Sequence, residues 1–271
     1  MKDLRGRIAM VTGAASGIGK ATSLALADEG CHLVICDIQE ETLEEVAKGI
    51  MAKGREVLFQ TCDVSKETDM KKLAKSAFER FGKVDIAMSN AGIAIGGQSH
   101  LLDKKHWDKV LGVNLWGAIY TLIHFVRPMV ERKEGHWVVT ASGMGLVGLP
   151  YMATYTTSKF GLVGLTECVR AELAAHNVGV TTLCPAVVKT PIFESVELIG
   201  FQDRVRHMLH YTGGMSPEQF ARKVIKGIKK NKGFMMFSAL TRITFGLKRL
   251  SPYLYEKNLM QIAKLSRSFQ E

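Results

Sequence analysis

The chain has 271 residues, 46% of them hydrophobic and 23% charged, with a formal net charge of +10. That length allows one large α/β domain or two small ones, each with a buried core. Five cysteines, an odd count without CxxC spacing, are read most simply as reduced thiols, and eight scattered histidines, with only His207 and His210 close together, give metal binding no support.

The opening "MKDLRGRIAMVTGAASG" is basic, but its apolar run is too short and broken for a secretory signal. No stretch approaches the roughly 18–20 apolar residues of a membrane span, so a cytoplasmic protein is expected. "RIAMVTG" (7–13) predicts a strand, "KATSLALADEG" (20–30) a helix and "CHLVICD" (31–37) a second strand. A helix through "EETLEEVAKGIMAKG" follows, then strands at 56–64 and 84–92 separated by the helical "MKKLAKSAFERFG". A long helical tract covers about 104–131, "HWVVTAS" (136–142) is a strand, 157–176 a helix and 178–186 a strand. This alternation predicts a doubly wound α/β fold with a parallel sheet, in one domain over 1–237. Residues of about 190–216 fit a helical insertion over the ligand-binding edge. The extension 238–271 reads as irregular, apolar and basic. Residues 221–271 hold twelve Lys/Arg and two Glu, which leaves the first 220 residues neutral.

"TGAASGIG" (12–19) joins the first strand to the first helix. Glycines let a backbone turn sharply beside a pyrophosphate, and a helix N-terminus offers N–H donors to it. Asp37 closes the next strand, where a carboxylate accepts hydrogen bonds from an adenosine ribose and repels a 2′-phosphate. The following residue is Ile38, and the loop carries Ser16 rather than Lys or Arg, so NAD is expected over NADP.

"YTTSK" sets Tyr155 and Lys159 one helical turn apart, a spacing that "YLYEK" repeats with Tyr253 and Lys257. Context separates the two. Gly13, Gly17 and Gly19 give T-G-x-x-x-G-x-G, and with "YTTSK" the chain resembles the short-chain dehydrogenase/reductase family over about residues 5–195. "NAG" (Asn90, Ala91, Gly92), "CDV" (Asp63 and Val64), "VNLWG" with Asn114, Ser142, and "PAVVKT" with Pro185, Val188 and Thr190 fall in the family's order. Ser89 stands where a second Asn often precedes "NAG", and Ala186 where Gly usually follows Pro185.

The resemblance implies a Rossmann-type sheet and hydride exchange between NAD(H) and a secondary alcohol or ketone. Tyr155 is then the acid/base, and Lys159 lowers its pKa and bonds the nicotinamide ribose. Ser142 orients the substrate oxygen, and Asn114 holds a water on the proton path. Gly13, Ser16, Gly17, Ile18, Gly19, Asp37, Ile38, Asp63, Val64 and the "NAG" and "PAVVKT" residues hold the cofactor. Apolar wall segments 143–152 and 187–215, with Val187, Ile192, Phe193, Met208 and Leu209, suit a steroid-, retinoid-, acyl- or alicyclic-like substrate. The alternative is a catalytically silent NAD-binding sensor or scaffold, against which the joint presence of Asn114, Ser142, Tyr155 and Lys159 counts. A homodimer or homotetramer built on the helices at 104–131 and 157–176 is implied. The basic tail suits weak contact with an anionic membrane, and no nucleic-acid motif accompanies it.

Overall fold

The computed structural model describes residues 1–193, 195–201 and 214–265. Seven parallel strands form the main sheet: β1 (Ile8–Thr12), β2 (His32–Asp37), β3 (Val57–Thr61), β4 (Ile86–Ser89), β6 (Gly135–Thr140), β7 (Val178–Cys184) and β9 (Phe234–Met236), in the order β3-β2-β1-β4-β6-β7-β9. The direction of strand addition reverses between β1 and β4, so their C-terminal ends flank the crevice where such sheets take ligands.

Alternation along each strand feeds two cores. In β1, Ile8 and Met10 face a layer with Phe125, Trp137 and Leu162, while Ala9 and Val11 face one with Leu26, Leu43 and Phe220. Helices α1 (Gly17–Asp28), α2 (Glu40–Met51) and α6 (Pro217–Lys229) supply the second layer. Helices α3 (Glu67–Phe81), α4 (Lys104–Arg132) and α5 (Ala153–Leu173) supply the first. Complete burial of one such Leu or Phe contributes about 1.5–3 kcal/mol.

Helix α4 spans 29 residues and is apolar and long enough, by composition alone, to cross a membrane, although Asn114, Thr121 and His124 punctuate it so that it shows no unbroken apolar run. Here Val110, Ala118, Phe125, Val126 and Met129 bury its inner face in the protein. Two π-helical turns, Gly112–Trp116 and Leu122–Val126, widen it, and the first contains Asn114.

Three expectations need correction. Helix α5 begins at Ala153, not 157, which brings Tyr155 into its first turn. Its start carries no sequence signal, since Met152 at the cap makes no side-chain bond and Tyr151 before it takes the left-handed φ of 64°. In the proposed insertion, the described residues hold a 3₁₀ turn at Pro191–Phe193 and strand β8 (Glu197–Ile199), which pairs in parallel with β5 (Ile95–Gly97). Most of that insertion, including His207, Met208, Leu209 and His210, lies outside the described residues. The extension is not irregular either: α7 (Ala239–Leu250) and α8 (Pro252–Leu265) are separated only by Ser251, with Pro252 opening the second helix, where its missing N–H costs nothing.

Candidate active site

A cleft of about 810 Å³ runs along the C-terminal ends of β1, β4, β6 and β7. At one end, Gly13 has a φ of 64°, and a Cβ there would lie 2.7 Å from Ala91 Cα, so only glycine fits. Gly19 sits behind the wall, where a Cβ would overlap the Gly13 carbonyl; its role is close packing of helix on strand. No side chain caps the N-terminus of α1, and no acid occupies its first turn. Those amide ends, beside Ser16, Gly17 and Ile18 on the cleft wall, are chemically matched to a pyrophosphate.

Asp37 faces the same end. Its Oδ2 accepts from Ala15 N at 3.0 Å and its Oδ1 from Gln39 N at 3.1 Å, so one carboxylate braces the glycine loop and borders the cleft. Ile38 beside it is exposed. Among the described residues the cleft has two lysines: Lys159, and Lys109, which pairs with Glu197 at 3.6 Å. Asp63 and Val64 form the next wall. Burial works against the charge on Asp63, but hydrogen bonds from Ser65 N (3.0 Å) and Ser65 Oγ (2.7 Å), with Lys66 at 3.4 Å, outweigh it and hold the carboxyl below its usual range.

The floor is laced by residues that include two which motif reading missed. Thr12 Oγ1 accepts from Asn90 N and Ala91 N, both at 3.0 Å. Asn90 Nδ2 donates to Thr12 O (3.1 Å) and Gly13 O (3.2 Å), and Thr140 Oγ1 donates to Asn90 Oδ1 at 3.2 Å. Asn90 thus ties β1, β4 and β6 together. Ser89, the departure from the family's second Asn, accepts from Trp137 Nε1 at 3.0 Å and satisfies a fully buried indole.

At the other end, Ser142, Tyr155 and Lys159 converge on the cleft with Gly92, Pro185 and Val188, and Thr190 stands close to Gly17. Ser142 Oγ accepts from Met144 N at 3.1 Å, and Gly143 N donates to Pro185 O at 2.7 Å, which fixes the turn after β6. Lys159 is buried, its Nζ donating to Thr140 O at 2.8 Å and lying 5.5 Å from the Tyr155 ring centroid. Burial pushes Lys159 down to about 8. The same desolvation raises Tyr155 above its ordinary phenol value, opposed by a hydrogen bond with Ser142. In the protein alone the net shift of the phenol is upward, because a phenolate in this site is poorly solvated.

Asn114 stands behind the cleft. Its Nδ2 donates to Ile93 O (3.0 Å) and Ser158 Oγ (2.9 Å), and its Oδ1 accepts from Ile93 N (2.9 Å). Ser158 Oγ in turn donates to Tyr155 O at 2.7 Å, so Asn114 braces the turn that presents Tyr155. Both side-chain N–H groups are committed to protein, which leaves a second lone pair on Oδ1 for any water.

The tail packs against the segment that follows β6, a contact that no local pattern in the sequence reveals. Lys248 Nζ donates to Leu146 O at 2.9 Å and lies 4.4 Å over the Phe160 ring, while Tyr255 OH donates to Gly148 O at 3.1 Å. Tyr253, by contrast, is exposed and far in sequence from any loop of the site. Lys248→Ala is expected to lower unfolding free energy in urea by about 1–3 kcal/mol through loss of the charged hydrogen bond and the cation–π contact. An unchanged urea midpoint would contradict a stabilising role for these contacts.

The family model described as short chain dehydrogenase matches residues 7–198. A CLA biosynthesis dehydrogenase/reductase of Lactiplantibacillus plantarum is 33% identical over 230 residues, 83% of this chain and 80% of the relative. A short chain dehydrogenase/reductase from Burkholderia phymatum, solved in complex with NAD, superposes with a TM-score of 0.88 at 30% identity, covering 94% of this chain and 96% of that one. An alcohol dehydrogenase from the archaeon Thermococcus sibiricus, complexed with 5-hydroxy-NADP, gives a TM-score of 0.75 at 27% identity over 86% and 96% of the two chains. With the sheet order, the glycine turn and the Ser142–Tyr155–Lys159 cluster, these matches establish that the chain belongs to the short-chain dehydrogenase/reductase family of NAD(P)-binding oxidoreductases.

Proposed function

We propose that the protein exchanges a hydride between NAD(H) and an apolar secondary alcohol or ketone. The observation that carries this reading is the meeting of Ser142, Tyr155 and Lys159 on the same cleft as the glycine turn and Asp37. The bound nicotinamide supplies or accepts the hydride. Tyr155 OH gives a proton to the carbonyl oxygen in reduction and recovers it in oxidation. Its raised pKa keeps it protonated and suits the acid role, while the Lys159 ammonium favours the phenolate needed for oxidation. Ser142 Oγ orients the substrate oxygen, a contribution of about 3–4 kcal/mol for donors of this kind. Asn114 keeps the Tyr155 turn in place and offers its remaining Oδ1 lone pair to a water on the route from Lys159. Ile93, Val113, Ala186 and Ile192 line the cleft and support an apolar substrate.

NAD is the preferred cofactor in this reading, supported by the Asp37 carboxylate on the cleft wall beside the glycine loop, which would repel a 2′-phosphate. Turnover with NAD is expected to exceed that with NADP at equal concentration by roughly tenfold or more, the scale of a like-charge juxtaposition. Asp37→Asn should narrow the gap; faster turnover of the unmodified protein with NADP would contradict the assignment. A homodimer or homotetramer would use the outer faces of α4 and α5, where Trp116 and Ile123 are exposed. The chain is read as cytoplasmic, with residues 238–271 making weak, salt-sensitive contact with an anionic membrane surface.

A further inference from the structure

A second cavity, of about 370 Å³, opens between α6, β9 and the start of α7. Lys223, Lys226, Lys230, Lys232 and Arg242 line it together with apolar groups that include Met235 and Phe237. Spacings of three and four residues set Lys223, Lys226 and Lys230 on one face of α6. All four lysines are exposed, and no carboxylate is among the described residues lining the cavity. Arg242 donates from Nη2 to Met236 O at 2.8 Å, which anchors it at the junction of the cavity and α7.

The same helix carries an apolar ridge. Leu240, Ile243, Leu247 and Leu250 repeat at three, four and three residues, and Leu240 and Leu250 are 72% and 88% exposed. Arg242 and Arg249 run along its flank, and exposed Tyr253 and Leu254 continue it into α8. The inner face, with Thr241 buried and Lys248 bonded to Leu146 O, is already occupied by the protein. Leu240, Ile243 and Leu250 therefore do not serve the core.

Charge and apolarity together select the occupant. A second copy docking about a two-fold axis would bring the same cations against one another, at a cost of like-charge repulsion. A nucleic acid would meet the cations but leave the ridge in water. A bilayer with anionic headgroups offers phosphates to the cations and the acyl boundary to the ridge. We propose that the cavity lined by Lys223, Lys226, Lys230, Lys232 and Arg242 is a phospholipid-headgroup site, which with the ridge of α7 docks the protein on an anionic bilayer. This rests on the membrane contact proposed above for the tail and adds to it a site on α6, outside the tail.

Flotation of the full chain with vesicles at low salt tests it. Binding is expected to phosphatidylcholine vesicles containing phosphatidylserine, and not to phosphatidylcholine alone. At about fivefold per cation lost, Lys223→Glu/Lys226→Glu/Lys230→Glu should weaken partitioning by about a hundredfold or more. Ile243→Ser/Leu250→Ser should weaken it on the same vesicles, and both variants should bind NADH as the unmodified chain does, which shows that they fold. Binding that survives the lysine reversal removes the headgroup site and leaves contact through the tail standing. Absence of binding by the unmodified chain removes both, without touching the catalytic reading. Duplex DNA bound as tightly as the vesicles, and lost with the same lysines, would assign the surface to nucleic acid instead.

Discussion

Tyr155→Phe is expected to lower kcat by roughly 10²–10⁴-fold, the usual worth of a positioned acid/base, while NADH binding stays close to that of the unmodified protein. Only the phenolic oxygen is lost. The ring keeps its place in the first turn of α5, and the Ser158 Oγ bond to the Tyr155 carbonyl does not involve the side chain. Comparing single-turnover rates with NADH affinity separates the two effects. Parallel loss of affinity and rate would mean that Tyr155 is a structural residue. Tyr253→Phe is the matched control: it has the same spacing to a lysine, no serine or glycine turn beside it, and should leave the rate unchanged.

The second large effect concerns Lys159 and joins function to stability. Its pKa is pushed down from 10.5 to about 8 by burial. Between those values the unfolded chain binds more protons than the folded one, so stability rises with pH across that window. Below about pH 8 the folded protein carries the full cost of the buried ammonium, about 3 kcal/mol at 1.36 kcal/mol per unit. Lys159→Met removes that cost but leaves the Thr140 carbonyl without its donor, which returns about 1–3 kcal/mol. The variant should thus be as stable as the unmodified protein at pH 7, or more so, and should lose ground to it by about 3 kcal/mol as pH rises from about 7 to 10. Turnover should fall severely at every pH. Urea unfolding across that range reads the sign directly; a variant clearly less stable at pH 7, by an amount that pH does not change, would show that the lysine is held there for packing rather than for chemistry.

The parts of this molecule that were legible in its sequence are those where one residue type is demanded by one geometry. Gly13 needs its positive φ and its contact with Ala91, Asp37 ends a strand beside the glycine turn, and the apolar runs of β1, β2 and β7 are buried on both faces. These signals are local, and they located the sheet and the cofactor end of the cleft. The start of α5 was not legible, because Met152 is no capping residue and Tyr151 carries its left-handed backbone by tertiary support: Gly97 N donates to its carbonyl at 2.7 Å, and its ring meets Phe201 edge-on at 5.0 Å.

The net rise of the Tyr155 pKa was not legible for a related reason. Spacing gives the distance between a lysine and a tyrosine along a helix, but not the desolvation both suffer once the cleft forms. Asn114 also has a bracing role that spacing does not reveal: its side chain spans Ile93 and Ser158, partners 21 and 44 residues away. Likewise α7 and α8 read as irregular because their periodicity serves two surfaces: an inner face closed by Lys248 and Tyr255, and an outer one of exposed leucines and arginines. A pattern that satisfies two surroundings does not resemble the single apolar stripe that marks a helix on a core.

The most direct test of the account is NADH absorbance during incubation of the protein with a panel of apolar secondary alcohols and ketones, run in parallel on Tyr155→Phe. The account predicts NAD-linked turnover of at least one member, lost in the variant while NADH remains bound. Turnover that persists undiminished in Tyr155→Phe, or tight NADH binding with no turnover of any member by either protein, would contradict it, the latter in favour of a catalytically silent NAD-binding protein.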